Sequence, residues 1–97
     1  MPVARQYVLI AREGEQAALR EALLLLAEKV RPINGCEGVE ILQDLAEPAH
    51  FVFIERWAGI DQHQAGGKLL GKDAFAAVMA AISEPPVGRY LELVLSA

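Results

Sequence analysis

Apolar positions alternate between two spacings along the chain, a two-residue period and a three-to-four-residue period, and the blocks change over at glycines and prolines. Val3–Ala11 is rich in Val, Leu, Ile and Tyr and has no Gly or Pro, which predicts a strand. One side carries Val3, Arg5, Tyr7 and Leu9, the other Ala4, Gln6, Val8 and Ile10, so both sides need cover. Over Glu13–Val30 the residues Ala17, Ala18, Leu19, Ala22, Leu23, Leu25, Leu26 and Val30 recur at three- and four-residue steps, which predicts a helix. Glu13 and Glu15 near its start and Lys29 and Arg31 near its end suit the helix dipole, and Pro32 and Gly35 stop it. The Leu23–Leu26 run predicts a helix well buried against a sheet.

Gly38–Asp44 alternates as a second strand, and a short link through Glu47–Pro48 leads to a third. His50–Trp57 has the strongest alternation, with Phe51, Phe53, Glu55 and Trp57 on one side and His50, Val52, Ile54 and Arg56 on the other. The short link predicts an antiparallel hairpin. Ile60–Gly71 is mixed, and Gly66, Gly67 and Gly71 predict a short helix followed by a loop. Lys72–Ser83 reads as a helix carrying Phe75, Val78, Met79 and Ile82, ended by Glu84-Pro85-Pro86, and Tyr90–Leu95 reads as a closing strand. The order β-α-β-β-α-β is the split βαβ arrangement, predicting an α+β ferredoxin-like domain over residues 1–97 with a four-stranded antiparallel sheet and helices on one face. With both sides of the first and third strands apolar, a second copy packed sheet to sheet would hide the remaining face, so a homodimer is expected.

At 97 residues and 54% hydrophobic, the chain has more apolar surface than a thin core absorbs, and a subunit interface or a ligand cavity would take the surplus. The net charge of −4, with Lys and Arg scattered singly, argues against nucleic acid. No segment approaches the roughly 20 apolar residues of a membrane span. There is no charged-then-apolar leader, and Cys36 has no second cysteine to pair with, so a cytoplasmic location is expected.

Gly35-Cys36, Glu40, Asp44, Pro48, Phe51 and Glu55-Arg56-Trp57, followed by Phe75 on an Ala-rich helix and Arg89-Tyr90, resemble the signature of antibiotic-biosynthesis-monooxygenase domains. The resemblance implies a dimeric α+β barrel, an activity in which the substrate supplies the electrons that reduce oxygen, and no metal, flavin or nicotinamide. Relatives often carry a His about six residues before the counterpart of Phe75, where this chain has Leu69. Counting forward from Trp57 reaches Gly66 instead, and His63 fits neither count. The Asn and the Trp–His pair of haem-degrading relatives are missing, because the first strand has Gln6 and Trp57 belongs to the third strand.

Among single residues, His63 has the titration range of a base that removes a phenolic proton, though it stands between Gln62 and Gln64 as a solvent-facing His would. Trp57 could stack on a planar ligand or pack in the core. Tyr7 and Tyr90 could donate into a cavity. Glu55, a carboxylate on an apolar strand face, needs a partner such as Arg5 or Arg89, or its pKa rises. His50 is expected near a surface or interface, and Cys36 reads as a small buried residue. His50 and His63 are not spaced as a metal pair, and the glycines match no phosphate loop. The expected function is a cofactor-independent monooxygenase acting on a small quinol or phenol. The alternatives are a non-enzymatic dimeric module that binds a small apolar ligand, and an isomerase or lyase on the same fold.

Overall fold

A computed structural model describes residues 1–97. Strands β1 (Val3–Ile10), β2 (Cys36–Gln43), β3 (His50–Trp57) and β4 (Val87–Glu92) form one antiparallel sheet in the order β2-β3-β1-β4. Helices α1 (Gln16–Val30), α2 (Ile60–Leu70) and α3 (Ala76–Ala81) complete a ferredoxin-like α+β fold, with a 3₁₀ turn over Lys72–Phe75 leading into α3. No helix is long and apolar enough to cross a membrane.

The alternation read in β3 fixes which face is core. Phe51, Phe53, Glu55 and Trp57 are buried, whereas His50, Val52, Ile54 and Arg56 are only half-buried. The register sets Val3 opposite Trp57, Arg5 opposite Glu55, Tyr7 opposite Phe53 and Leu9 opposite Phe51, so these β1 residues share the core face. Leu19, Leu23, Leu26 and Val30 of α1 close over it.

All three helical segments depart from the sequence reading. Helix α1 starts at Gln16, not Glu13, because Gly14 adopts φ 77° and turns the chain, which leaves no acidic residue in the first helical turn. The leucine run is also only half buried: Leu24 and Leu25 are exposed because a 3.6-residue turn swings them away from the sheet. Helix α2 runs through Gly66 and Gly67 and stops at Gly71, whose φ of 76° suits only glycine. The helix predicted over Lys72–Ser83 divides and ends early. Ile82 leaves it to bridge Ala11, and the Ser83 N–H donates to the Ile10 carbonyl at 2.9 Å, tying the chain to the end of β1.

The other strand shifts have local causes. β4 begins at Val87 and ends at Glu92, which pairs with Val3. The next position would face Pro2, which has no N–H to give, so Leu93–Leu95 lie outside the strand. β2 starts at Cys36 with a bulge before Gly38, where the strand meets Arg56.

Candidate functional site

The helix-covered face of the sheet ends in a cluster of polar side chains. β1 supplies Arg5 and Tyr7, β3 supplies Glu55 and Trp57, β4 supplies Tyr90 and α2 supplies His63. All five residues singled out from the sequence meet here. His63 is central: its Nε2 lies 3.1 Å from the Tyr7 hydroxyl and its Nδ1 2.7 Å from the Tyr90 hydroxyl. The Trp57 indole N–H donates to Glu55 Oε1 at 3.0 Å, and the same oxygen is 3.6 Å from His63 Nε2. The rings of Trp57 and Tyr90 both meet the imidazole edge to face.

Gly66 explains how a helix brings His63 so deep. It lies one turn after His63 on the same face of α2, and a Cβ there would stand 2.7 Å from Trp57 Cη2. The residue that looked like a helix breaker is thus the gap through which α2 settles onto Trp57. Leu69, at the position reached by counting back from Phe75, is 76% exposed and outside the cluster.

Burial governs the titration of the cluster. It pushes the Glu55 carboxyl above the ordinary glutamate range, against the Trp57 hydrogen bond and the Arg5 charge, which pull it down. Burial and the Arg5 charge together hold the His63 imidazole below its ordinary value. Burial raises the Tyr7 hydroxyl as well, with Arg5 opposing. Burial thus pushes both partners of the 3.6 Å Glu55–His63 contact toward their neutral forms. A neutral imidazole donates through one nitrogen and accepts through the other, so Tyr7, His63 and Tyr90 form one chain along which a proton can pass.

Three expectations need correcting. Trp57 and Glu55 are 1% and 3% exposed and do not line the apolar cavity beside the cluster, so in the protomer Trp57 packs in the core, the second of the two roles expected for it. Glu55 makes no ion pair with Arg5 or Arg89. Arg5 turns toward β4, and Arg89, opposite Gln6, lies on the other face of the sheet. His63 does not stand in solvent between its glutamines, and its side chain is only 15% exposed. Cys36 is half-buried and its thiol is pushed up by burial, so it is no ready thiolate. His50, half-buried at the start of β3, meets Glu47 at 3.6 Å, away from the cluster.

Beside the cluster, between sheet and helices, is an apolar cavity of about 200 Å³. Leu23 and Leu26 of α1, Phe53 of β3, Phe75 of the 3₁₀ turn, and Val78 and Met79 of α3 line it. Tyr7 is the one residue that belongs to both places, its ring walling the cavity and its hydroxyl on His63. Arg5, named from the sequence only as a partner for Glu55, joins the group through the two tyrosine rings instead. Its guanidinium carbon lies 4.4 Å from the Tyr90 ring centre and 5.0 Å from that of Tyr7.

The family model for antibiotic biosynthesis monooxygenases matches residues 2–67. The chain belongs to that family. The match takes in β1, β2, β3 and the part of α2 that carries His63 and Gly66, which are the elements that build most of the cluster. Solved structures named for the same antibiotic biosynthesis monooxygenases superimpose along almost the whole chain. One from Bordetella bronchiseptica is 16% identical with a TM-score of 0.84, covering 97% of this chain and 98% of its own. One from Nitrosomonas europaea is 21% identical with a TM-score of 0.82, covering 98% and 100%. One from Caulobacter crescentus is 23% identical with a TM-score of 0.81, covering 97% and 91%. At these identities the likeness is one of fold. A comparison with curated proteins finds no match.

Proposed function

We propose that this protein is a cofactor-independent monooxygenase that oxidises a small quinol or phenol with molecular oxygen and works as a homodimer. Family membership supports the reaction type, and the position of Tyr7 between cavity and imidazole carries the reading. An engineered apolar cavity of roughly 150 Å³ admits benzene. About 200 Å³ therefore suits a substrate of one or two rings and is too tight for a large polycycle. Its walls offer a flat apolar molecule packing surface and one hydroxyl, that of Tyr7.

The chain's residues supply proton handling. A substrate O–H donates to the Tyr7 oxygen as the Tyr7 proton passes to His63 Nε2, 3.1 Å away, and the Tyr90 hydroxyl accepts from Nδ1 at 2.7 Å. Glu55 Oε1, 3.6 Å from Nε2, faces the imidazolium that forms as a hydrogen-bond acceptor, and Arg5 favours the substrate anion. That anion is electron-rich and reacts with oxygen without help from a resident redox group. The balance is HO–Ar–H + O2 → O=Ar=O + H2O: one oxygen atom enters the ring carbon, the other leaves as water, and the substrate supplies all the electrons. The relay returns its proton to the departing water.

The open sheet face supports the dimer. Val8, Ile10, Val52 and Ile54 are half-buried there, and Leu42 and Val87 are exposed beside them. Light scattering should give twice the 10.5 kDa of one chain. The activity is tested by oxygen uptake on a panel of small hydroquinones and naphthols, with protein freed of metal and flavin. Uptake above the uncatalysed rate, falling by about 10²–10⁴ in His63→Ala, is expected. No uptake anywhere in the panel overturns the reading. Product formed equally well under nitrogen points to an isomerase or lyase, and ligand-induced thermal stabilisation without turnover to a binding module.

A further inference from the structure

Arg5 is a cation without a counter-charge. Directly across the sheet stands Glu55, on the same face, and a pair of this kind would ordinarily bridge. It does not: no Asp or Glu oxygen lies within 4.0 Å of Arg5, and the Glu55 oxygen nearest the cluster is taken by the Trp57 N–H. Arg5 reaches instead over the rings of Tyr7 and Tyr90 toward β4. Its Nε is sealed from solvent and has no hydrogen-bond partner.

Room is kept for it. A Cβ at Gly88 would stand 2.6 Å from Arg5 Nη2 and 3.1 Å from Tyr7 Cε1, so a larger residue on that strip of β4 would push the guanidinium aside. Gly88 pairs with Tyr7 in the sheet, and Pro86, two residues before it, lines the cavity. The cation and the cavity thus meet at the Tyr7 ring. Other arginines without an acidic partner, such as Arg12 and Arg20, are exposed and solvated by water. Arg5 is half-buried against aromatic rings, where a guanidinium gains most from an anion and least from solvent.

We propose that Arg5 is an anion-recognition site for the ligand of the cavity, which selects small aromatic acids: one or two rings in the apolar chamber, with a carboxylate reaching the guanidinium beside Tyr7. The inference rests on the cavity being the reaction site but not on the reaction itself, and it is tested by binding alone. The probes are matched pairs that differ only in charge, hydroxybenzoates against the corresponding hydroxybenzyl alcohols, titrated into the full-length protein by calorimetry at low salt. The acid is expected to bind about tenfold or more tightly than the alcohol, as suits a charge-assisted hydrogen bond, and to lose that margin as salt rises. Arg5→Gln should abolish the preference for the acid over the alcohol, and Arg5→Lys, which keeps the charge, should retain part of it. Equal binding of acid and alcohol, a preference that survives Arg5→Gln, or no binding of either overturns the proposal. A charge preference without oxygen uptake would keep this site and remove the monooxygenase reading. Oxygen uptake on neutral quinols with no charge preference would do the reverse.

Discussion

The cavity and the polar cluster share Tyr7 as a common wall and are built on opposite terms. The cavity takes its lining from β1, α1, β3 and α3, and almost every lining residue contributes only shape. The cluster takes six residues from four elements, and three of them are placed by particular contacts: Trp57 holds Glu55, Gly66 admits His63, and Gly88 admits Arg5. A region defined by shape should be sensitive to volume and tolerant of chemistry. A region defined by atoms should be sensitive to the loss of one donor even when volume is kept.

The hardest test falls on the floor of the cluster. Trp57 is among the largest buried side chains, and Gly66, Ile33 and His63 pack around it. Trp57→Ala should cost about 3–5 kcal/mol in urea unfolding, because α2 loses its floor. A loss below about 1 kcal/mol would mean the helix is seated by something else.

Tyr7→Phe separates the two properties within one side chain, since the ring stays and the hydroxyl goes. Stability and KM should hold, while kcat falls about 10²-fold because the proton path to His63 is cut. A rise in KM with kcat unchanged would make the Tyr7 hydroxyl a binding group only. Val78→Phe makes the converse change, filling the chamber without touching a polar atom. Affinity for bicyclic ligands should drop about tenfold at a folding cost of about 1–3 kcal/mol, and the His63 imidazole resonances in NMR should not move. Movement of those resonances would show that cavity and cluster are mechanically one.

The same contrast explains what could be read from the chain. Strand β3 is legible because period-two alternation is a local property, and it exposes Glu55 as the odd polar residue on the buried side. The pairings of His63 are not local. Gly66 and Gly67 look like a helix end until Trp57, on another element, supplies the reason for the gap. Arg5 and Glu55 face each other across the sheet, and which way the arginine turns is decided by β4, far along the chain. The limits of β4 depend on where β1 runs out of N–H groups, and the early end of α3 depends on Ser83 reaching Ile10. In each case a tertiary contact overrode a local preference.

The smallest effect concerns acid, and its sign distinguishes the two buried titrating groups. Glu55 has a raised pKa in the folded state, so the fold binds more protons than the unfolded chain in the window above the ordinary glutamate value. Its contribution is present at low pH and is lost as pH rises through the raised value. His63 has a lowered pKa, so its contribution is present above the ordinary imidazole value and is lost as pH falls through that value toward its own. In the native protein the two slopes oppose each other in the weakly acid range. Glu55→Gln leaves the His63 slope alone, and urea midpoints should fall between about pH 7 and about pH 5. His63→Gln leaves the Glu55 slope alone, and over the same interval its midpoint should change in the opposite sense relative to the first variant. Asp44, whose carboxyl is held low by the N–H groups of Glu47 and Ala46, adds the same background to both and cancels in the difference. Neither group owes its shift to the other, since burial comes first for each and Arg5 second or third, so each slope should survive removal of its neighbour. Slopes of equal sign in the two variants would mean that burial does not set the titration of one of the two groups, and the relay from Tyr7 could not then rest on an imidazole that burial keeps neutral.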